Sequence, residues 1–362
     1  LFTAVPFIIV GSLDEAGHPW ASILSGPPGF VSVANEDLTI DARPASDDPL
    51  LSTVIKGGDI GLLAIDFARR TRYRVNGKVS LSATRLLVDV KQCYRNCPQY
   101  IHARSADYKE HSPGLKEGLP ARRLSALDDH AFSIVSNAET FFIATHGSGS
   151  PCDDPRLGAD VSHRGGNAGF VEVHSDRKHL AFPDYIGNFM FNTLGNLTRY
   201  PRCGLLFIDF ATGQTVQVTG TASVEWDIER IGFTPGAQRI IEIEIDEVIV
   251  APATGHLTWS FIEHAPDLLR YRTLQLDAAA QADHEPNVAP EGFRKYTVSR
   301  VVDEADDIRS LYLRPVEGST SAHRPGQHVQ ICCTLPAGNA LAIRHYSLSD
   351  YGLHRNEYRI GV

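Results

Sequence analysis

The chain has 362 residues, too many for one ordinary core, and its length points to two or three domains. Hydrophobic residues make up 43% and charged residues 21%, the balance of a folded, soluble protein, and no apolar run approaches the roughly 18–20 residues of a membrane helix. The formal net charge of −9 argues against a general nucleic-acid binder, which normally shows a basic face, while local basic patches can still hold a phosphate-bearing cofactor.

Leu1 to Val10 is apolar but short, lacks a basic start and runs into a turn, so it reads as a strand and not as a signal peptide. The chain begins without methionine and stops at Arg359-Ile360-Gly361-Val362, within a strand-like run, and so reads as a fragment. The six cysteines, with pairs at Cys93/Cys97 and Cys332/Cys333, match no zinc or iron–sulfur spacing; buried thiols in a reducing cytoplasm are expected. The fifteen histidines show no His-x-x-x-His or facial-triad spacing, so no metal is expected.

Taken in order, the elements repeat. The first apolar strand, Pro6 to Gly11, has a counterpart at Thr140 to Thr145, and Gly29-Phe30-Val31 returns as Gly169-Phe170-Val171. Short helices are predicted at Pro49 to Lys56 and Asn188 to Tyr200. Gly61-Leu62-Leu63-Ala64-Ile65-Asp66-Phe67 then reappears as Gly204-Leu205-Leu206-Phe207-Ile208-Asp209-Phe210, six of seven residues identical at an offset of 143 (204 − 61). Val75-Asn76-Gly77 and Val218-Thr219-Gly220 keep that offset on a long strand of alternating polarity. About six short strands and one or two helices per copy predict a small barrel. A helix is expected over Leu124 to Ala138, and Glu242, Glu244 and Asp246 alternate on what reads as a solvated strand face.

These signals divide the chain into a first barrel copy (1–104), a polar linker or wrapped loop (105–123), a second copy (124–277), a linker rich in Ala, Gln, Asp and Pro (278–291) and a C-terminal segment (292–362). The richest polar constellation lies in the second copy. Ser162-His163-Arg164-Gly165-Gly166 offers an arginine for a phosphate and glycines that admit a ligand to the backbone. Pro183-Asp184-Tyr185-Ile186-Gly187-Asn188 leads to a helix N-terminus that attracts anions. Spacing alone leaves open a purely structural reading, with Asn188 as a helix cap and Arg164 paired to a carboxylate.

Together with Asn192-Thr193-Leu194-Gly195-Asn196-Leu197, the Gly204 to Phe210 strand, Thr215 to Gly220, and Trp20-Ala21-Ser22, Gly26 to Phe30 and Asn96 to Ile101 in the first copy, these motifs resemble the pyridoxamine 5′-phosphate oxidase-like flavin-nucleotide-binding family. The resemblance covers Pro6 to Trp259. It implies a mainly β fold, with two tandem split β-barrels forming an intramolecular pseudo-dimer, or a homodimer, and FMN at the seam. It also implies flavin contacts from Arg164, Gly165, Pro183, Asp184, Tyr185, Asn188 and Asn192, with Thr215 or Gln217 on the facing strand. The first copy lacks an arginine at the place of Arg164 and carries the proline-rich Ala42 to Pro49 instead, so it is expected to support the second copy's site. No dense Arg/Lys cluster is evident, and vitamin B6 oxidation is therefore not expected.

The C-terminal segment carries a second resemblance. Arg344-His345-Tyr346-Ser347, preceded by Pro325-Gly326-Gln327-His328-Val329 and a strand pair within Phe293 to Pro315, is similar to the Arg-x-Tyr-Ser signature of ferredoxin-reductase-type FAD domains. That likeness implies a partial FAD-binding barrel, with Arg344 at the diphosphate and Tyr346 and Ser347 at the flavin ring, and an NAD(P)H-binding domain beyond Val362. The function expected is a flavin-dependent oxidoreductase moving electrons from NAD(P)H through FAD to FMN or an acceptor. The alternatives are a flavin- or haem-binding module without turnover and an empty dimerisation scaffold.

Overall fold

A computed structural model describes residues 1–34, 37–82, 85–110, 120–151, 154, 156–187, 190–226, 236–253, 256–268, 292–305, 308–321, 328–334, 341–348 and 356–361. The chain is mainly β and divides into one unit of residues 1–231 and 237–270 and another of 232–236 and 271–362.

The first copy runs β1 (Phe7–Leu13), β2 (Pro19–Ser25), β3 (Val31–Ala34), β4 (Asp37–Ile40), α1 (Leu50–Lys56), β5 (Gly58–Asp66), β6 (Thr71–Ser82) and β7 (Arg85–Asn96). Strands β8 (Ala103–Tyr108) and β9 (Arg122–Leu124) follow. The second copy runs α2 (Asp129–Ser136), β10 (Thr140–His146), β11 (Ala159–Gly165), β12 (Glu172–Val173), β13 (His179–Tyr185), α3 (Asn192–Arg199), β14 (Arg202–Ile208), β15 (Thr215–Glu225) and β16 (Ala237–Ala251), and β17 (Leu257–Glu263) comes last. The sheets have the same order, β2-β1-β5-β6-β7-β4-β3 and β11-β10-β14-β15-β16-β13-β12, all pairs antiparallel. Even the bulges correspond: the register slips at Asn76/Gly77 in one copy and at Thr219/Gly220 in the other. Two split barrels of one topology therefore stand in tandem.

Each barrel encloses its own apolar core, around Ile8, Leu50, Leu62 and Val88 in the first and Phe141, Phe182, Leu205 and Ile243 in the second. A third core joins them. Phe7, Ile9, Leu63, Ile65 and Phe67 of the first copy pack against Phe142, Val161, Leu206 and Ile208 of the second. With cores on both faces, β1 and β10 are buried at every position, which explains why they read as unbroken apolar runs and not as alternating strands. Burying each large side chain contributes about 1.5–3 kcal/mol, so this core holds the two copies together.

The repeated glycine of the Gly-Leu-Leu motif has its reason here. A Cβ on Gly204 would sit 2.5 Å from Trp20 Cα, and one on Gly61 would sit 2.9 Å from Asp160 Cα. Gly29 and Gly169 define a second offset of 140 (169 − 29), which places Trp20 and Asp160 at equivalent positions. Each copy thus presents its glycine to the same strand of the other, the contact pattern of a two-fold pseudo-dimer.

The described ends of the polar stretch 105–123 belong to strands. Its first residues continue β8, which pairs with β17, and its last begin β9, which pairs with β16, so backbone hydrogen bonds hold segments whose side chains carry no apolar pattern. Glu242, Glu244 and Asp246 are exposed on β16. No described helix is long and apolar enough to cross a membrane.

In the C-terminal unit, β18 (Tyr296–Ala305), β19 (Ile308–Pro315) and β22 (Tyr358–Gly361) form a three-stranded sheet, and β20 (His328–Thr334) pairs with β21 (Leu341–Ser347). Leu313, Leu348, Tyr358 and Ile360 form its small core. Residues 278–291 and Pro325 to Gln327 lie outside the described residues.

Candidate functional site

Strand β6 of the first copy and β11 of the second meet at the seam beside a cleft enclosing about 110 Å³. The second copy lines it with Arg164, Gly165, Pro183, Asp184 and Tyr185, and the first copy with Arg72, Arg74 and Asn96 to Tyr100 apart from Pro98. Gly165 is needed because a Cβ there would fall 1.9 Å from the Tyr100 carbonyl oxygen.

The cleft is a cluster of guanidinium groups. Arg74 Nη2 donates to Ser162 Oγ, and its Nη1 lies 3.4 Å from Asp160 Oδ1. Ser162 Oγ is 2.9 Å from Thr193 Oγ1 in the first turn of α3. Arg72 Nε donates to the Cys97 carbonyl (2.8 Å), and its Nη1 lies 3.0 Å from His163 Nδ1. Arg164 and Arg239 approach opposite oxygens of Asp184 at 3.7 and 3.2 Å, and Arg239 also lies over the rings of Phe191 and Trp226. No such cluster is evident along the sequence. Arg72 and Arg74 belong to the other copy, far from the second-copy motifs along the chain.

Crowding is written into the titration behaviour of these groups. Burial, then Arg74 and Arg164 nearby, pull the Arg72 guanidinium down to about 9. Burial likewise lowers Arg164, although Asp184 opposes it. Burial first, and then Arg72, hold His163 well below 6.5, so the ring is neutral, with Nδ1 accepting from Arg72. Arg74 Nε, Arg164 Nε, His163 Nε2 and Asn96 Oδ1 are buried without a hydrogen-bond partner among the described residues. Buried donors without acceptors are costly, and an anion in the cleft relieves that cost. Asp160 and Asp184 offset two of the four guanidinium charges of Arg72, Arg74, Arg164 and Arg239, which leaves about two positive charges, the complement of one phosphate dianion.

Asn192 opens α3 and donates to Tyr94 Oη at 2.7 Å; Tyr94 in turn lies 3.2 Å from Asp160 Oδ1. With Asn196, Arg156 and Arg199, Asn192 lines an adjoining cavity of about 560 Å³ that shares Phe191 with the cleft. Asn188 lies outside the described residues.

Thr215 and Gln217 are not brought to this cleft. They line a cavity of about 760 Å³ at the other seam, where Gln217 Nε2 donates to the Ala21 carbonyl (2.9 Å) and to Ser22 Oγ (3.1 Å). The 143-residue offset carries Thr215 and Gln217 back to Arg72 and Arg74. In a two-fold pseudo-dimer, the strand that faces the second copy's motifs comes from the first copy. The repeat therefore already carried the signal for both arginines.

In the C-terminal unit, Arg344, Tyr346 and Ser347 lie on β21, opposite Ile331, Val329 and His328 of β20, and Tyr346 packs on the small core. Elsewhere, potential ligand atoms of His102, Glu139 and His264 lie within 4.8 Å of one another despite lacking any metal-type spacing in sequence. Each already has protein partners: His102 Nε2 lies 2.8 Å from the Gly166 carbonyl oxygen, and Glu139 takes a 2.7 Å bond from Arg104.

No family model matches the chain. Parts of it are similar to flavohemoproteins, 37% identical over 82 residues to that of Halalkalibacterium halodurans and 35% over 75 residues to that of Schizosaccharomyces pombe. These stretches cover 22% and 20% of this chain, and 20% and 17% of those proteins. The chain thus spans about a fifth of the length of the curated relatives it matches. Among solved structures, a pyridoxamine 5′-phosphate oxidase-type protein of Lactobacillus delbrueckii aligns at 17% identity and a TM-score of 0.26, covering 34% of this chain and 94% of that one. General stress protein 26 of Bacillus anthracis aligns at 12% and 0.24, covering 36% and 95%.

Proposed function

We propose that the twin barrel holds one flavin nucleotide, FMN, at the arginine-lined seam and serves a flavin-dependent oxidoreductase. The observation that carries this reading is the convergence of Arg72, Arg74 and Arg164 from both copies, with the buried Nε atoms of Arg74 and Arg164 lacking acceptors among the described residues. Bound there, FMN supplies hydride and single-electron chemistry. The chain's own residues bind and orient. The three guanidiniums hold the phosphate, the Ser162 and Thr193 hydroxyls add polar contacts beside the first turn of α3, and Asp184 keeps Arg164 and Arg239 in place. Phe170, Tyr185 and Phe191 give the cleft and its neighbouring cavity apolar surface for a ring.

The segment from 292 onward is assigned to a reductase-type FAD module that draws electrons from NAD(P)H toward the split barrel. Arg344-His345-Tyr346-Ser347 on β21 supports this assignment. The test is a visible absorbance spectrum with mass analysis of extracted flavin, followed by NAD(P)H oxidation by a full-length chain. FMN recovered with the protein and turnover of NAD(P)H are expected. A protein that takes up neither FMN nor FAD on titration contradicts the reading.

A further inference from the structure

The two seams are equivalent in topology but opposite in chemistry. At an offset of 143, Arg72 and Arg74 become Thr215 and Gln217; at 140, Ser162 and Arg164 become Ser22 and Leu24. Each seam keeps the same hydrogen-bonding hub, Arg74–Ser162–Thr193 in one and Gln217–Ser22–Asp48 in the other. The guanidinium has become a neutral amide, and the third member is a carboxylate from the segment before α1 instead of a hydroxyl within α3. The cavity at this second seam is large, about 760 Å³. Among the described residues Asp41, Asp47 and Asp48 line it with one guanidinium, Arg43; Asp41 is paired with Arg85, and the apolar wall includes Leu206 and Trp259. A phosphate there meets carboxylates instead of arginines.

We propose that this second seam binds an aromatic organic cation, a ligand class distinct from the nucleotide of the first. Asp48 is the anchor. Its carboxylate accepts from Ser22 Oγ (2.6 Å), the Leu50 amide (2.8 Å) and Gln217 Nε2 (3.3 Å). All three donors are neutral, and no ion pair involves Asp48 among the described residues. A carboxylate has about four acceptor positions, so one remains for a cation. Burial raises the Asp48 pKa, and an ammonium or ring cation beside it offsets that desolvation. Trp259 adds an aromatic wall whose face suits a cation. The duplicated barrel thereby acquires two different binding seams, one for an anion and one for a cation.

The test uses the whole chain and two fluorescent probes of similar size, the cation proflavine and the anion 9-anthracenecarboxylate, with FMN titrated separately. Expected are one saturable equivalent of proflavine at 150 mM salt, weaker binding of the anion, and a loss of about tenfold or more in proflavine affinity for Asp48→Asn. The asparagine keeps an oxygen for the Leu50 amide, so the fold is retained. Thr215→Trp, which fills the cavity from a strand position that accepts aromatic residues, removes binding, whereas Glu242→Gln on the exposed face of β16 leaves it unchanged. Equal proflavine binding by wild type and Asp48→Asn overturns the proposal, as does an anion that binds as tightly as the cation. A second FMN equivalent lost in Thr215→Trp overturns it too. FMN binding at the first seam depends on Arg74 and not on Asp48, so failure of the two readings is distinguishable.

Discussion

Arg74, on β6 of the first barrel, donates to Ser162 on β11 of the second, and this contact ties a cation of one copy to the motif-bearing strand of the other. The seam is therefore a composite in which neither copy holds the complete site. Arg74→Gln installs the residue that the pseudo-symmetric position already carries. It removes charge-assisted bonds worth about 1.5–3 kcal/mol, so FMN affinity should fall by about tenfold or more, as read by quenching of flavin fluorescence.

The seam glycines set a stability prediction independent of any ligand. A Cβ at residue 204 meets the Trp20 backbone, which has no flexible end to move aside. Gly204→Ala and Gly61→Ala should each cost about 1–3 kcal/mol in urea unfolding, the range for overpacking. The larger loss is expected at Gly204, where the approach is closer.

Much of the fold was legible because the repeat is written in apolar strands and glycines, whose spacing is set by local geometry. The first-copy/second-copy equivalence, the helices near Leu50 and Asp129 and the exposed acidic face of β16 follow from such patterns. The site was legible only by half. Arg164, Gly165, Pro183, Asp184 and Tyr185 share one short region of sequence and one cleft, whereas Arg72 and Arg74 reach it across the seam. Thr215 and Gln217 line the other seam, because in a two-fold pair the strand facing one copy's motifs comes from its partner copy. His102, Glu139 and His264 gather through β-pairing of distant segments, which periodicity does not register.

Arg104 tests the difference between buried and exposed ion pairs. Its side chain is 7% exposed, bonded to Glu139 at 2.7 Å and stacked over Phe210. Glu139→Ala leaves that guanidinium buried without its carboxylate and should cost about 3–5 kcal/mol. Removing Glu247 from the more exposed Arg123 pair should cost no more than about 1 kcal/mol. Chemical unfolding of the two variants side by side checks the contrast.

Acid sensitivity follows from His163. Its folded-state pKa lies well below 6.5, so between those values the unfolded chain binds a proton that the folded chain does not. The stability this group contributes is fully present above about 6.5 and is lost as pH falls toward the folded value. His102, lowered chiefly by burial, acts in the same direction. The melting temperature should drop between pH 7.5 and 5.5, and His163→Asn, which keeps an acceptor for Arg72, should flatten part of that slope.

The most direct test of the central claim is the stoichiometry and arginine dependence of FMN binding, measured by titrating the whole chain and its Arg74→Gln variant. The two-copy, one-site account predicts one FMN per chain, with affinity reduced about tenfold or more in the variant. Two equivalents per chain, or one equivalent bound equally well without Arg74, would contradict it.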